Sequence, residues 1–323
     1  MTSKQKERLA PLIESFFQSH PHAERIKADP VEFPHRYTDP REIELVGWLA
    51  AALAYGRVDL FKAAVEKMLA LMEGGPYAYL ARFDPVRERP RFKGIYYRLN
   101  STDDLFCFIY MMSRVVQRFG SVGALFRSLY REEEEDLGPT LSRFMGVVSS
   151  IDSRPVYGKK GIPDGLRQLL SSPAQGSACK RMNLYLRWMV RPRDGIDFGL
   201  WKEIPPGKLI IPLDTHIVRI SRYLGLTRRK SPDWKMAKEI TESLKAFDPI
   251  DPLKYDFGLC HLGISGACPI ERDREKCRGC SLLDGCQRGR RAVRSRSAFP
   301  TPSPRHGGGD EAPRKEFASI TIS

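Results

Sequence analysis

The chain reads as an all-α protein. Apolar residues recur at helical intervals along most of it, no segment alternates over the length of a strand, and Gly or Pro separates the periodic runs at short spacing. Roughly ten helices joined by short loops are expected. Residues 42–54 (EIELVGWLAAALA) are nearly all apolar, as a buried helix requires, and Tyr55-Gly56-Arg57 ends them. Residues 60–72 form a second helix, stopped by Gly74-Gly75-Pro76. Residues 103–119 form a third, with Leu105, Phe106, Ile109, Met112 and Val116 at helical intervals and Gly120 as terminator. Further helices are expected at 122–130, 139–150, 177–190, 215–224, 234–247 and 255–264.

Composition bounds the rest. With 323 residues, 41% of them apolar, the chain can bury one large core or two linked lobes. The 53 Lys and Arg against 39 Asp and Glu give a net charge of +14, which favours nucleic acid or an anionic surface as partner. No apolar run approaches the roughly eighteen residues of a membrane span, and the first residues carry no signal-peptide pattern, so a soluble, cytoplasmic monomer is expected. Cys107, Cys179 and Cys260, scattered among apolar neighbours, read as reduced, mostly buried thiols. Trp48, Trp188 and Trp201 could line a pocket for a base or belong to the core. Residues 288–323 are rich in Arg, Ser, Pro and Gly without apolar periodicity, so they read as a disordered basic tail behind a folded unit of residues 1–287. The arginines that open the tail could add phosphate contacts or be simply solvated.

Cys268, Cys277, Cys280 and Cys286 stand as C-x8-C-x2-C-x5-C, a spacing that can close one loop, residues 268–286, around a metal centre. Thiolates are soft ligands, so the set suits zinc or an iron–sulfur cluster. Only Cys277 and Cys280 form a C-x2-C pair, which leans away from a zinc ribbon, yet spacing alone leaves the metal open. Arg272, Arg274, Lys276 and Arg278 are interleaved with the first three cysteines and would present a compact row of cations suited to phosphate. In GSACKRMNLYLRWMVR (residues 176–191), Lys180, Arg187 and Arg191 fall opposite the apolar face as a basic stripe, or as an ordinary solvated helix face. Asp214 precedes the helix of THIVRISRYL, a position most often filled by an N-cap.

LDTHIVRISRYLGL resembles the aspartate-bearing segment of the helix-hairpin-helix DNA glycosylases, and the four-cysteine loop after it is similar to that of endonuclease III and the adenine-mismatch glycosylases. The upstream GSACKR resembles the hairpin and catalytic-lysine position, with Gly176 and Lys180 as counterparts and Ala178 where a second glycine is usual. Residues 29–263 also look like a set of uncharacterised bacterial proteins sharing GSACKR, LRWMVR and PLDTH. The separation of thirty-four positions from Lys180 to Asp214 brings the chain nearer the archaeal 8-oxoguanine glycosylase group, and the excursion between them offers Asp194 and Asp197 as rival carboxylates.

The resemblance implies a two-lobed, endonuclease III-like helical fold with a C-terminal [4Fe–4S] loop, zinc being the lesser alternative, and base-excision repair of damaged double-stranded DNA. Lys180 would attack the sugar C1′ and form a Schiff base, giving AP lyase as well as N-glycosylase activity, and Asp214 would stabilise the developing sugar cation. An oxidised base such as 8-oxoguanine is the expected substrate, and the nucleoid the expected location. Gly176, Ser177, Arg181 and Arg187, with Arg272, Arg274, Lys276 and Arg278, are the expected DNA contacts. The alternatives are a non-catalytic nucleic-acid-binding protein that keeps the fold and cluster, and a metal-cluster protein of redox or RNA metabolism.

Overall fold

The structure is a computed structural model and describes residues 1–19, 23–159, 161–271 and 273–294. These residues form helices and no strand. The principal helices are α1 (Ser3–Ser19), α2 (Pro40–Leu53), α3 (Val58–Leu69), α4 (Thr102–Phe119), α5 (Val122–Leu129), α6 (Gly138–Ser149), α7 (Lys180–Val190), α8 (Thr215–Leu224), α9 (Trp234–Lys245), α10 (Asp256–Ile264), α11 (Arg274–Arg278) and α12 (Gln287–Arg294). No helix among the described residues is long and apolar enough to cross a membrane.

Local chemistry sets the helix ends. Asp39 accepts from Arg41 N–H at 2.8 Å, and Pro40 opens α2 with its φ already helical. A capping box starts α4: Ser101 Oγ accepts from Asp104 N–H at 3.2 Å while Asp104 Oδ2 accepts from Ser101 N–H at 2.9 Å. Helix α7 begins at Lys180, three residues later than the sequence pattern predicts, because Cys179 sits at φ +46° and cannot continue a helix.

Two buried clusters organise the chain. The first spans α2 to α7, and α2 lies against α7 with Gly47 facing Tyr185 and Met189, where a Cβ would stand 3.3 Å from Met189 Cε. Trp48 meets Phe108 and Phe144 edge-on, and Trp201 stacks on Phe126 at 4.9 Å while donating to Glu44 Oε1 at 2.8 Å. All three candidate tryptophans, Trp48, Trp188 and Trp201, are fully buried, so they belong to the core and not to a base pocket.

The second cluster joins α8, α9 and α10 to Leu9, Ile13 and Phe16 of α1, so the N-terminal helix returns to the C-terminal half of the molecule. Helix α10 touches both clusters, through Phe257 on one side and Leu259 on the other.

Part of the expected disordered tail is helical. Gly289 and Ala292, three residues apart, are the buried face of α12, and their small size lets an Arg-rich segment lie flat on the cysteine loop. The remainder of the tail, 295–323, lies outside the described residues. The capping box gives a direct stability test: Ser101→Ala should cost about 1 kcal/mol. Thermal unfolding that does not change in this variant would show that the cap contributes nothing.

Candidate functional site

Lys180 is the first residue of α7, and its side chain turns to the C-terminal end of α2, with Nζ 3.5 Å from Ala54 O. Arg181 points the same way, donating to the carbonyls of Ala52, at 3.1 Å, and of Gln168, with its guanidinium 5.3 Å from the Tyr55 ring centre. Two cations thus gather where α2 exposes unpaired carbonyls and the negative end of its dipole. Burial pushes the Arg181 guanidinium below its ordinary range, and its donors are occupied by backbone. Arg181 is half-buried and braces the start of α7 against the end of α2.

Gly176 and Ser177 form the approach to α7. Gly176 has φ +76° with open space where a Cβ would be, its carbonyl accepts from Trp234 N–H at 3.2 Å, and Ser177 Oγ accepts from Cys179 N–H at 3.2 Å. Gly176 is exposed and Ser177 half-buried, so this turn remains open to a ligand backbone.

A second turn is anchored on Tyr55, whose ring meets Arg181. Tyr97 and Asn100 exchange backbone hydrogen bonds, Tyr55 Oη donates to Tyr97 O at 3.2 Å, and Asn100 Nδ2 donates to Gly165 O at 2.7 Å. Arg98 is held at φ +50°, while Tyr96 and Leu99 are 71% and 72% exposed. Sequence periodicity could not mark this turn, because its anchors come from three separate segments.

Asp214 caps α8. Its Oδ1 accepts from Ile217 N–H at 2.7 Å and its Oδ2 accepts from Cys260 Sγ at 3.1 Å. No ion pair within 4 Å joins Lys180 to Asp214: the amine rests on α2 and the carboxylate faces α10.

Next to Asp214 lies a buried charge network whose arginines the sequence pattern places on the surface. Arg187 is 2% exposed and pairs with Asp197, at 3.3 Å, and with Asp256. Arg191 grips Asp251 with two parallel bonds of 2.9 and 2.8 Å and also meets Asp194, at 2.9 Å, and Asp197. This corrects three expectations. Arg187 does not reach DNA, the stripe of Arg187 and Arg191 is internal, and Asp194 and Asp197 are counter-ions and not free rival carboxylates. The reason is that residues 182–190 are buried on every side of α7, so an arginine there must find carboxylates inside.

Burial pushes the Asp256 carboxyl up to about 6, Arg187 opposing the rise and Asp214 and Asp197 adding to it. His261 Nε2 stands 3.5 Å from Asp29 at the rim of the network. Asp29, Asp256, Cys260 and His261 share no motif that would join them as site residues in the sequence; only their spatial grouping distinguishes them, with Asp214, Asp256 and Asp29 near Cys260 and His261 beside Asp29.

All four loop cysteines line one cavity, together with Tyr223, Leu283, Gly289 and Ala292. None is in a disulfide, and Cys286 Sγ accepts from Gly289 N–H at 3.2 Å. Burial pushes the Cys268 thiol up to about 11 and those of Cys277 and Cys280 up as well, and the neighbouring cysteines add to each rise. Four thiolates lining one cavity would repel one another without a positive centre between them, which a soft ion or cluster would supply. Among the described residues no group of three or more His, Cys, Asp or Glu is arranged to hold a metal ion. Arg274, Lys276 and Arg278 are exposed on α11, started by Asp273, whose Oδ1 accepts from Lys276 N–H at 3.0 Å. Arg272 lies outside the described residues.

Fold and site together define an all-helical protein with a four-thiol cavity and an aspartate that caps α8 near a buried charge network. The family model described as "Protein of unknown function (DUF2400)" matches residues 29–265, and the chain belongs to that family. No curated protein and no solved structure matches it.

The network carries a pH test. A carboxyl whose folded pKa lies above its unfolded value of 3.8 lets the folded state bind more protons between about 4 and 6, so stability falls through that window as pH rises. Asp256→Asn removes this titration. The melting temperature of the variant minus that of the wild type should therefore rise by several degrees from pH 4 to pH 7; a fall would mean that attraction to Arg187 outweighs burial.

Proposed function

We propose that the protein is a DNA base-excision glycosylase with AP lyase activity, acting on an oxidised base such as 8-oxoguanine in double-stranded DNA. One observation carries the reading: the Asp214 cap and the four-thiol cavity are parts of one packed unit, since α8 lies against both α10 and α12. That is the combination for which the resemblance to endonuclease III-like enzymes stands. The open Gly176–Ser177 turn supports it, as do the projecting Tyr96 and Leu99 and the exposed cations of α11.

In this reading Lys180 leaves its rest on Ala54 O and attacks C1′ of the damaged nucleotide. A C–N bond forms as the glycosidic bond breaks, and the base departs with the bonding electron pair and a proton. The carboxylate of Asp214 faces the sugar cation as it develops. Cys268, Cys277, Cys280 and Cys286 would hold a [4Fe–4S] cluster, whose contribution is to fix the loop and its cations for docking and not to react. Phosphate contacts come from Arg274, Lys276 and Arg278 and from the Gly176–Ser177 backbone. The wider site belongs to repair at the nucleoid.

A second reading, a nucleic-acid-binding protein without catalysis, is favoured by the lack of contact between Lys180 and Asp214 and by the single glycine of the turn.

Three outcomes test the proposal. Purified anaerobically, the protein should be brown, and replacing any of the four cysteines should bleach it; a colourless protein with one zinc would replace the cluster by zinc. Changing Arg274, Lys276 and Arg278 together to Ala should flatten the plot of log affinity against log salt by about 0.9 for each phosphate that is no longer neutralised. An unchanged slope would take α11 off the DNA.

On a duplex bearing 8-oxoguanine, Lys180→Gln and Asp214→Asn should each slow single-turnover base release by about 10²-fold or more while duplex affinity stays within about tenfold. Binding by the wild type without base release would establish the second reading.

A further inference from the structure

Both oxygens of Asp214 are held, and only one hold is an ordinary helix cap. Ile217 N–H takes Oδ1, while the thiol of Cys260, reaching from α10 to the start of α8, takes Oδ2. Cys260 does not line the four-cysteine cavity, so it is free of any role there. Burial pushes its thiol well above the ordinary range, and Asp214, Asp256 and Asp29 add to the rise, with Arg187 beyond, paired to Asp256. The sulfur therefore keeps its proton and acts as donor.

We propose that Cys260 is a positioning residue, whose S–H fixes the plane of the Asp214 carboxylate so that its charge faces one direction. The proposal rests on reading Asp214 as the carboxylate that stabilises the sugar cation. An S–H is a weak donor, so it orients the anion while withdrawing little of its charge. A stronger donor in the same place would bind that charge more tightly in the ground state and leave less for the transition state. Without that donor the carboxylate is held only by Ile217 N–H and can turn about its Cβ–Cγ bond, and a group displaced by a fraction of an ångström loses much of its effect.

The test uses the full-length protein with two readouts. The S–H stretching band of Cys260, identified by its loss in Cys260→Ser, should lie below that of unbonded thiols and move up in Asp214→Ala. In single-turnover excision on an 8-oxoguanine duplex, Cys260→Ala should be slowed about tenfold with duplex affinity unchanged, and Cys260→Ser, which restores a donor, should recover to within about threefold of wild type. A band that stays in place in folded Asp214→Ala, or excision by Cys260→Ala at the wild-type rate, overturns the proposal. Absence of base release by the wild type overturns the functional reading and the positioning role with it, while a band that shifts still establishes the contact between Cys260 and Asp214.

Discussion

The buried pairing of Arg187 and Arg191 with Asp197, Asp251 and Asp256 is the constraint on which the rest of the structure depends. Arg187 belongs to the helix at the centre of the first core, and Asp256 opens the helix that touches both cores. Such pairs add little net stability over apolar replacements, since desolvation offsets most of the attraction, but they admit few geometries. Losing one partner leaves the other charged and buried, at a cost of about 3–5 kcal/mol. The network thereby fixes how the two halves meet more than how tightly they hold.

That geometry decides where the chemistry can sit. Lys180 opens α7, seven residues before Arg187, and Asp214 lies close enough to Asp256 to influence its ionisation. The two candidate reactive groups are thus placed from opposite ends of one set of charges. The excursion between them is no loose insertion: Phe198 N–H and Trp201 N–H tie it back to the carbonyls of Trp188 and Met189, at 2.8 and 2.9 Å. Its acidic residues serve the arginines. The cysteine loop and α12 close the far end of the second core, where small residues let a strongly cationic helix pack on thiols.

Most of the helices are legible in the sequence because their signals are local. The run at 42–54 corresponds to Pro40–Leu53, and the expected 215–224 coincides with Thr215–Leu224, since caps and glycine stops act within a few residues. Three features are not legible. Helix α1 has Pro11 within it, which reads as a helix breaker, and its buried Leu9, Ile13 and Phe16 seat against α8 to α10, far along the chain. Arg187 and Arg191 look like a solvated face, because the carboxylates that draw them inward are set by tertiary contacts. Helix α12 looks disordered because four arginines mask the two small residues that seat it. In the site itself Asp214, Lys180 and the four cysteines stand out by motif, whereas Cys260 and Asp256, lacking any motif, acquire meaning only from what they touch.

In the proposed reaction an amine on α7 attacks a damaged nucleotide. Borohydride reduction of the protein mixed with an 8-oxoguanine duplex, followed by digestion and mass spectrometry of the crosslinked peptide, tests it most directly. The account predicts a single adduct on the peptide containing Lys180. An adduct on another amine, or none under conditions in which the protein releases the base, would contradict it.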